Sequence, residues 1–278
     1  MSAAITSYID VAQLALYAFW IFFAALIFYI RREDRREGYP LVYERTGEEK
    51  QHGYIWIPEP KVWKLAEGGT EQAPRAHVNE PPLKAVRNET YEGAPYDPTG
   101  NPLVDGFGPA AFALRADRPD KTIEGDDKIV PLRTLNDFDV KPLLFSTDPR
   151  GMEILSADNK VVGTIKDIWV DRAEQLARYV EIALVPEFAG TAHEEEGATA
   201  TRTVLAPLTL VNISPRLDID ELKLVTRAKI HSINADQFAE VPTIKNATSI
   251  TLLEEDKVSA YFTGGHFFNR FQKSSSLT

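Results

Sequence analysis

The sequence predicts a chain of two kinds of structure: one N-terminal transmembrane α-helix, then a mainly-β cytoplasmic domain with short helices at its C-terminal end. Three observations predict this. Val11 to Ile30 reads VAQLALYAFWIFFAALIFYI, with Gln13 its one clearly polar residue. Fourteen of the eighteen prolines fall between Pro40 and Pro149. From about Met152, apolar and polar residues alternate in short runs, the period of half-buried strands.

The apolar run comes first in the chain. Twenty residues at 1.5 Å each span about 30 Å, the thickness of a bilayer core. Asp10 precedes the run, whereas RREDRRE follows it, with Arg31, Arg32, Arg35 and Arg36. The positive-inside rule then places the N-terminus outside and the bulk of the chain in the cytoplasm. A cleaved signal peptide fits less well, because no basic region precedes the run and charges rather than small residues follow it. The predicted segments are a tail (1–10), the span (11–31), a proline-rich extended segment (32–140), a β domain (141–250) and a C-terminal helix and tail (251–278). The aromatics of the span either pack lipid or form a face for other helices.

Proline removes a backbone donor and biases its predecessor toward extended geometry, so residues 32–140 cannot hold long helices or central strands. YIWIP (Tyr54–Pro58) and KVWKLA (Lys61–Ala66) are β-like, and Tyr96–Ala110 is close to pure turn chemistry. Trp56, Trp63, Phe107 and Phe112 argue for an ordered strap rather than a free linker. Beyond Met152 the expected strands are a pair around a turn at Asp158–Asn159, then Arg178–Val185, Thr203–Leu210, Val211–Ile213 and Leu222–Ile230, forming a small antiparallel sheet or barrel. KDIWVDRAEQLARYVEI, Lys166–Ile182, reads as two strands around the turn DRAEQLA. Asn234 is expected to cap a helix that Pro242 ends. Thr251 and Glu254 form a capping box for a last helix, which Gly264–Gly265 should terminate before a polar tail after Phe271.

Composition excludes several functions. A net charge of −10 and a pI near 5.1 argue against a nucleic-acid partner. Without cysteine there are no disulfides, thiolate catalysis or iron–sulfur clusters. The five histidines never stand at HExxH spacing, and no G-x-S-x-G, P-loop or G-x-G-x-x-G occurs. The HEEE run, His193–Glu196, reads as a solvated loop, since consecutive residues cannot converge on one metal ion. Glu254, Glu255 and Asp256 read as helix N-terminal acids that suit the macrodipole. A non-catalytic protein is expected.

RREDRREGYPLV after the span, PTGNPLVDGFGPA, DIWVDRAEQLARYVEI and VPTIKNATSITLLEEDKVSAYFTGG together resemble the H subunit of the photosynthetic reaction centre of purple bacteria. The resemblance runs in the same order from the span to about Gly265. It implies a single helix beside the L and M subunits, and a PRC-type β-barrel capping them on the cytoplasmic side of an intracytoplasmic photosynthetic membrane. This chain would bind no cofactor alone. The complex would carry bacteriochlorophyll, bacteriopheophytin, quinones, non-haem iron and carotenoid. Further implied partners are the core light-harvesting complex, a cytochrome subunit and membrane lipids. Tyr29, Arg31 and Arg32 fall where the family meets lipid head groups and the antenna, or else serve only as topology signals.

The resemblance also implies a proton relay to the secondary quinone. Glu174 matches the family's glutamate near that quinone, Asp171 an acid of the same cluster, and Arg178 a basic neighbour that limits how far their pKa values rise. Proton uptake in the family often uses a surface histidine cluster. Here IEGDDKIVP, Ile123–Pro131, has none, and Glu124 and Asp126 stand in its place. Acids titrating near 4 buffer poorly at neutral pH, and a metal ion should bind there more weakly. The alternative reading is a membrane-anchored PRC-barrel adaptor that docks a non-photosynthetic partner.

Overall fold

The computed structural model describes residues 10–43, 45–51, 53–65, 68–74, 82–139, 148–190, 202–218 and 223–275. The predicted tail before Asp10 and the His193–Glu196 run lie outside the described residues. The rest divides into two compact units: one comprises the described residues up to Pro82 with Glu89–Pro95, the other Leu83–Asn88 with Tyr96 onward.

In the first unit, α1 spans Val11–Glu33 and buries none of its residues. Asp10 caps it, accepting a 2.6 Å bond from the Gln13 amide, and Arg31 and Arg32 stand in the last turn, where cations suit the helix dipole. The helix is long and apolar enough to cross a membrane. Two short strands follow, β1 (Lys61–Lys64) and β2 (Thr70–Ala73), paired antiparallel. Tyr54–Pro58, expected as β-like, joins no ladder. Its groups are taken up by the helix end instead: the Ile55 carbonyl accepts from Arg35, and Trp56 packs edge-on against Phe28 with Arg32 over its ring. Arg36 donates to the carbonyls of Glu59 and Ala73, so the basic exit of the helix clamps the extended segment.

The second unit is built on a seven-stranded sheet. Before it come the pair β3 (Ala85–Arg87) and β4 (Tyr96–Pro98) and a single helical turn, α2 (Pro102–Asp105). Asn101 caps that turn through the Leu103 amide and Gly106 closes it in the left-handed region, so this stretch is more than the turn chemistry expected. The sheet comprises β5 (Ile129–Pro131), β6 (Glu153–Leu155), β7 (Val161–Asp171), β8 (Leu176–Leu184), β9 (Thr203–Pro207), β10 (Val211–Asp218) and β11 (Lys223–Ile230). Its order is β10-β11-β6-β7-β8-β9, with β5 alongside β7. Every pairing is antiparallel except β11 with β6, which is parallel. The sequence reading stopped the β10 run at Ile213, before Pro215. The strand continues because β10 lies at the end of the sheet path, where a missing N–H can go without a ladder partner. The expected strand Thr203–Leu210 ends at Pro207, and Leu208–Leu210 form a 3-10 turn.

The core is centred on Trp169, Ile165, Ile182, Leu205, Ile230 and Phe262, all essentially inaccessible. A smaller cluster, Leu132, Ile168 and Val170, covers the other face of β7. That second cover explains why alternation fades along β7, whose last five residues are all buried.

The C-terminal end differs most from expectation. The stretch before Pro242 is a 3-10 helix, Asp236–Glu240, preceded by Ala235 rather than capped by Asn234. The Thr251–Glu254 capping box is present, the Thr251 amide donating to Glu254 at 2.9 Å and the Glu254 amide to the Thr251 hydroxyl at 3.1 Å. But α3 runs from Leu252 to Ser275, straight through Gly264–Gly265 and past Phe271. The two glycines admit neighbouring backbone instead of ending the helix. A Cβ on Gly264 would overlap Ala110, and one on Gly265 would overlap Ile233 and lie 2.8 Å from the Ser232 carbonyl oxygen.

Candidate functional site: a carboxylate cluster at the β7–β8 turn

The hairpin forms as its sequence suggests. DIWV and RYV pair across it, with Trp169 opposite Tyr179, and Arg172–Gln175 make the turn. Gln175 closes the turn with φ of 54°, the left-handed region that a non-glycine residue enters only when held there. Asp171 does the holding. Its side chain is wholly buried, and Oδ1 accepts from the amides of Ala173 at 3.0 Å and Glu174 at 2.9 Å. Its other oxygen faces Arg178 at 3.4 Å and Lys128 at 3.7 Å. Of the three predicted relay residues, Asp171 is therefore the anchor of the turn.

Glu174 projects from that turn with its side chain 48 % exposed. It receives a 2.6 Å hydrogen bond from Arg178 and lies 3.9 Å from the Lys128 ammonium. Lys128 also approaches Asp120 at 3.5 Å. Glu174, Asp171 and Arg178 thus come together as expected, and Lys128 joins them from the position just before β5.

The stretch expected to take up protons is folded against the same turn. Ile129 pairs with Asp171 in the sheet, and the Arg172 amide donates to the Lys128 carbonyl. Asp126 forms a 3.0 Å ion pair with Arg172. Glu124 is exposed and lines an open recess of about 420 Å³ whose wall includes Arg172, Ala173 and Gln175. Residues that the sequence separates by more than forty positions form one continuous polar surface.

Sequence reasoning missed Glu255. Three successive acids head α3, and they do three different things. Glu254 completes the capping box and accepts from the Lys245 amide, while Asp256 pairs with Arg115 at 3.1 Å. Glu255 turns toward the hairpin and accepts a 3.3 Å bond from the Tyr179 hydroxyl, which also lies 3.5 Å from the Ser259 hydroxyl. Burial pushes the Glu255 carboxyl above the usual carboxylate range; Tyr179, Arg178 and Lys128 hold it back, and Asp120 adds to the rise. Burial likewise pushes the Tyr179 phenol up to about 12, so it remains a donor at neutral pH. The one available signal was the pattern E-E-D in a capped first turn, where only one acid can serve the cap.

Tyr29, Arg31 and Arg32 lie in the first unit. Tyr29 and Arg31 are exposed, Arg31 forming a long 3.8 Å pair with Asp34, whereas Arg32 packs over Trp56. Among the described residues no group of three or more His, Asp or Glu side chains is placed to hold a metal ion.

Two family models match the chain in tandem. The photosynthetic reaction centre H-chain N-terminal region matches residues 3–134, and the PRC-barrel domain matches residues 142–224. The apolar helix falls within the first match and strands β6 to β10 within the second, in the same order: the chain belongs to the photosynthetic reaction centre H-chain family.

Proposed function

We propose that this chain caps the L and M subunits of a purple-bacterial reaction centre on the cytoplasmic side and conducts protons to the secondary quinone as light reduces it to quinol. The family is one of membrane-associated subunits that do no catalysis of their own. The observation that carries the proton-conducting reading is the cluster at the β7–β8 turn. It sets Glu174, Asp171 and Glu255 among Arg178 and Lys128, with Asp126 and Glu124 on the adjoining surface.

A quinone that gains two electrons must take up two protons. If it is covered by protein, those protons cross on groups that can both accept and release them. Glu174, partly exposed and held by Arg178, exchanges protons with the surface. Glu255, whose carboxyl is raised by burial, takes up a proton more readily than an exposed carboxylate, with the Tyr179 hydroxyl donating to it and fixing its orientation. Arg178 and Lys128 keep the cluster from binding protons too tightly to release. Asp126 and Glu124 collect protons electrostatically, more weakly than histidines would. Outside the sheet, α1 spans the membrane with its N-terminus outside, its aromatics facing neighbouring helices and Arg31 near anionic head groups.

A complex purified through this chain should carry bacteriochlorophyll absorption. Colourless material would instead support the adaptor reading, a membrane-anchored PRC-barrel docking another partner.

A further inference from the structure

Against Lys166, Trp169 and Glu181 of the β7–β8 hairpin lies a half-open cavity of about 360 Å³, which the proton-conducting reading does not use. Four cations line it: Arg133, Lys166, Arg202 and Lys245. Arg133 pairs with Asp167 and Glu181, Lys166 with Glu181 at 2.9 Å, and Lys245 with Asp117. Three of the four cations therefore have carboxylate partners.

The fourth is Arg202. The residue is only 8 % exposed, and no carboxylate of the described residues pairs with it. Its guanidinium is spent on main-chain carbonyls, those of Ala189 at 2.7 Å, Val241 at 2.9 Å and Ala239, and its Nε has no partner. Burial pushes its pKa down. A buried guanidinium usually faces an acid, yet here the space beside it is open. The open side holds mobile donors: Lys166 and Lys245 are half or more exposed, each with ammonium protons beyond the one given to its carboxylate. Thr203 and Thr243 also stand on the wall.

We propose that this cavity is a binding site for a small free oxyanion of the phosphate class. The anion would sit between Lys166 and Lys245 and offset the field of Arg202. Trp169, whose indole N–H donates to Glu181 at 3.1 Å on the same wall, would report its arrival.

The test is a titration of the full-length chain in detergent with inorganic phosphate, with chloride at matched ionic strength as control, following the Trp169 indole resonance and the heat of binding. The expected result is saturable phosphate binding with a shift of that resonance, weakened at least about fivefold in K166Q/K245Q and unchanged in the charge-matched control K64Q/K160Q. Arg133 and the Trp169 indole still hold Glu181 when Lys166 is replaced, and an unchanged near-ultraviolet circular dichroism spectrum checks that both double variants are folded. No saturable binding would overturn the proposal. So would binding that survives in K166Q/K245Q, or that falls equally in K64Q/K160Q, since either outcome means diffuse attraction.

Discussion

Asp171 offers the sharpest test of how the turn is held. Replacing it with alanine removes the acceptor for two backbone amides, Ala173 and Glu174, inside a wholly buried site. Hydrogen bonds to a charged acceptor contribute about 1.5 kcal/mol or more each, giving about 3 kcal/mol for the pair. Lys128 and Arg178 lose a partner but are partly exposed and regain water, adding about 1 kcal/mol at most. The total, about 3–4 kcal/mol, corresponds to a fall in Tm on the order of 10 °C for a unit of this size. Asparagine keeps an oxygen where Oδ1 stands but puts an amide NH2 where Oδ2 faces Arg178 and Lys128, so D171N should cost about 1–2 kcal/mol. Thermal melts of the two full-length variants, followed by near-ultraviolet circular dichroism, separate the cases. A D171A protein melting within about 2 °C of the parent, or D171N and D171A melting together, would show that the carboxylate does not hold the turn.

Three further outcomes follow from the same geometry. The folded state raises the Glu255 pKa above its ordinary 4.5, so it binds that proton more tightly than the unfolded chain. Stability is therefore lost as pH rises from 4.5 through the raised value and is flat above it; E255Q should match the parent near pH 4 and exceed it near pH 8 in urea melts. Gly265→Ala, normally favoured in a helix by about 1 kcal/mol, should destabilise by about 1–3 kcal/mol because its Cβ overlaps Ile233 and crowds the Ser232 carbonyl; a rise in urea midpoint would contradict the close packing. Arg133→Met strands two buried carboxylates, Asp167 and Glu181, and should cost about 2–3 kcal/mol, below the value for a fully buried pair because Arg133 is partly exposed and Lys166 still reaches Glu181. Melting curves of R133M and R133M/E181Q check it, the second change recovering part of the loss.

The elements that announced themselves were those whose pattern and burial coincide. α1 is apolar all round, and the hairpin residues Asp167–Ile182 carry strand formers on both sides of a polar turn. What the pattern concealed has physical causes. Pro215 looked like a strand end because a sequence does not say which strand is at a sheet edge. Gly264–Gly265 looked like a helix stop because the same lack of a Cβ that favours a left-handed cap also admits another backbone, here those of Ala110 and Ser232. Tyr54–Ile57 had β propensity, but the arginines leaving α1 took its carbonyl and its tryptophan. At the site, Glu174, Asp171 and Arg178 were legible only through the resemblance carried by DIWVDRAEQLARYVEI. Lys128 and Glu255 were not, since they arrive from elements 46 and 81 positions from Glu174 along the chain. Only the fold distinguishes Glu255 from its neighbours Glu254 and Asp256.

The most direct test of the proton-conducting account is the rate of second-electron transfer to the secondary quinone, measured by flash spectroscopy on the complex containing Glu174→Gln. Glutamine retains the side chain's size and can still accept from Arg178, but it cannot carry a proton. The account predicts that the proton-coupled second transfer slows at least about tenfold while the first is largely spared. Second-electron kinetics equal to the parent's would contradict it and take Glu174 off the path.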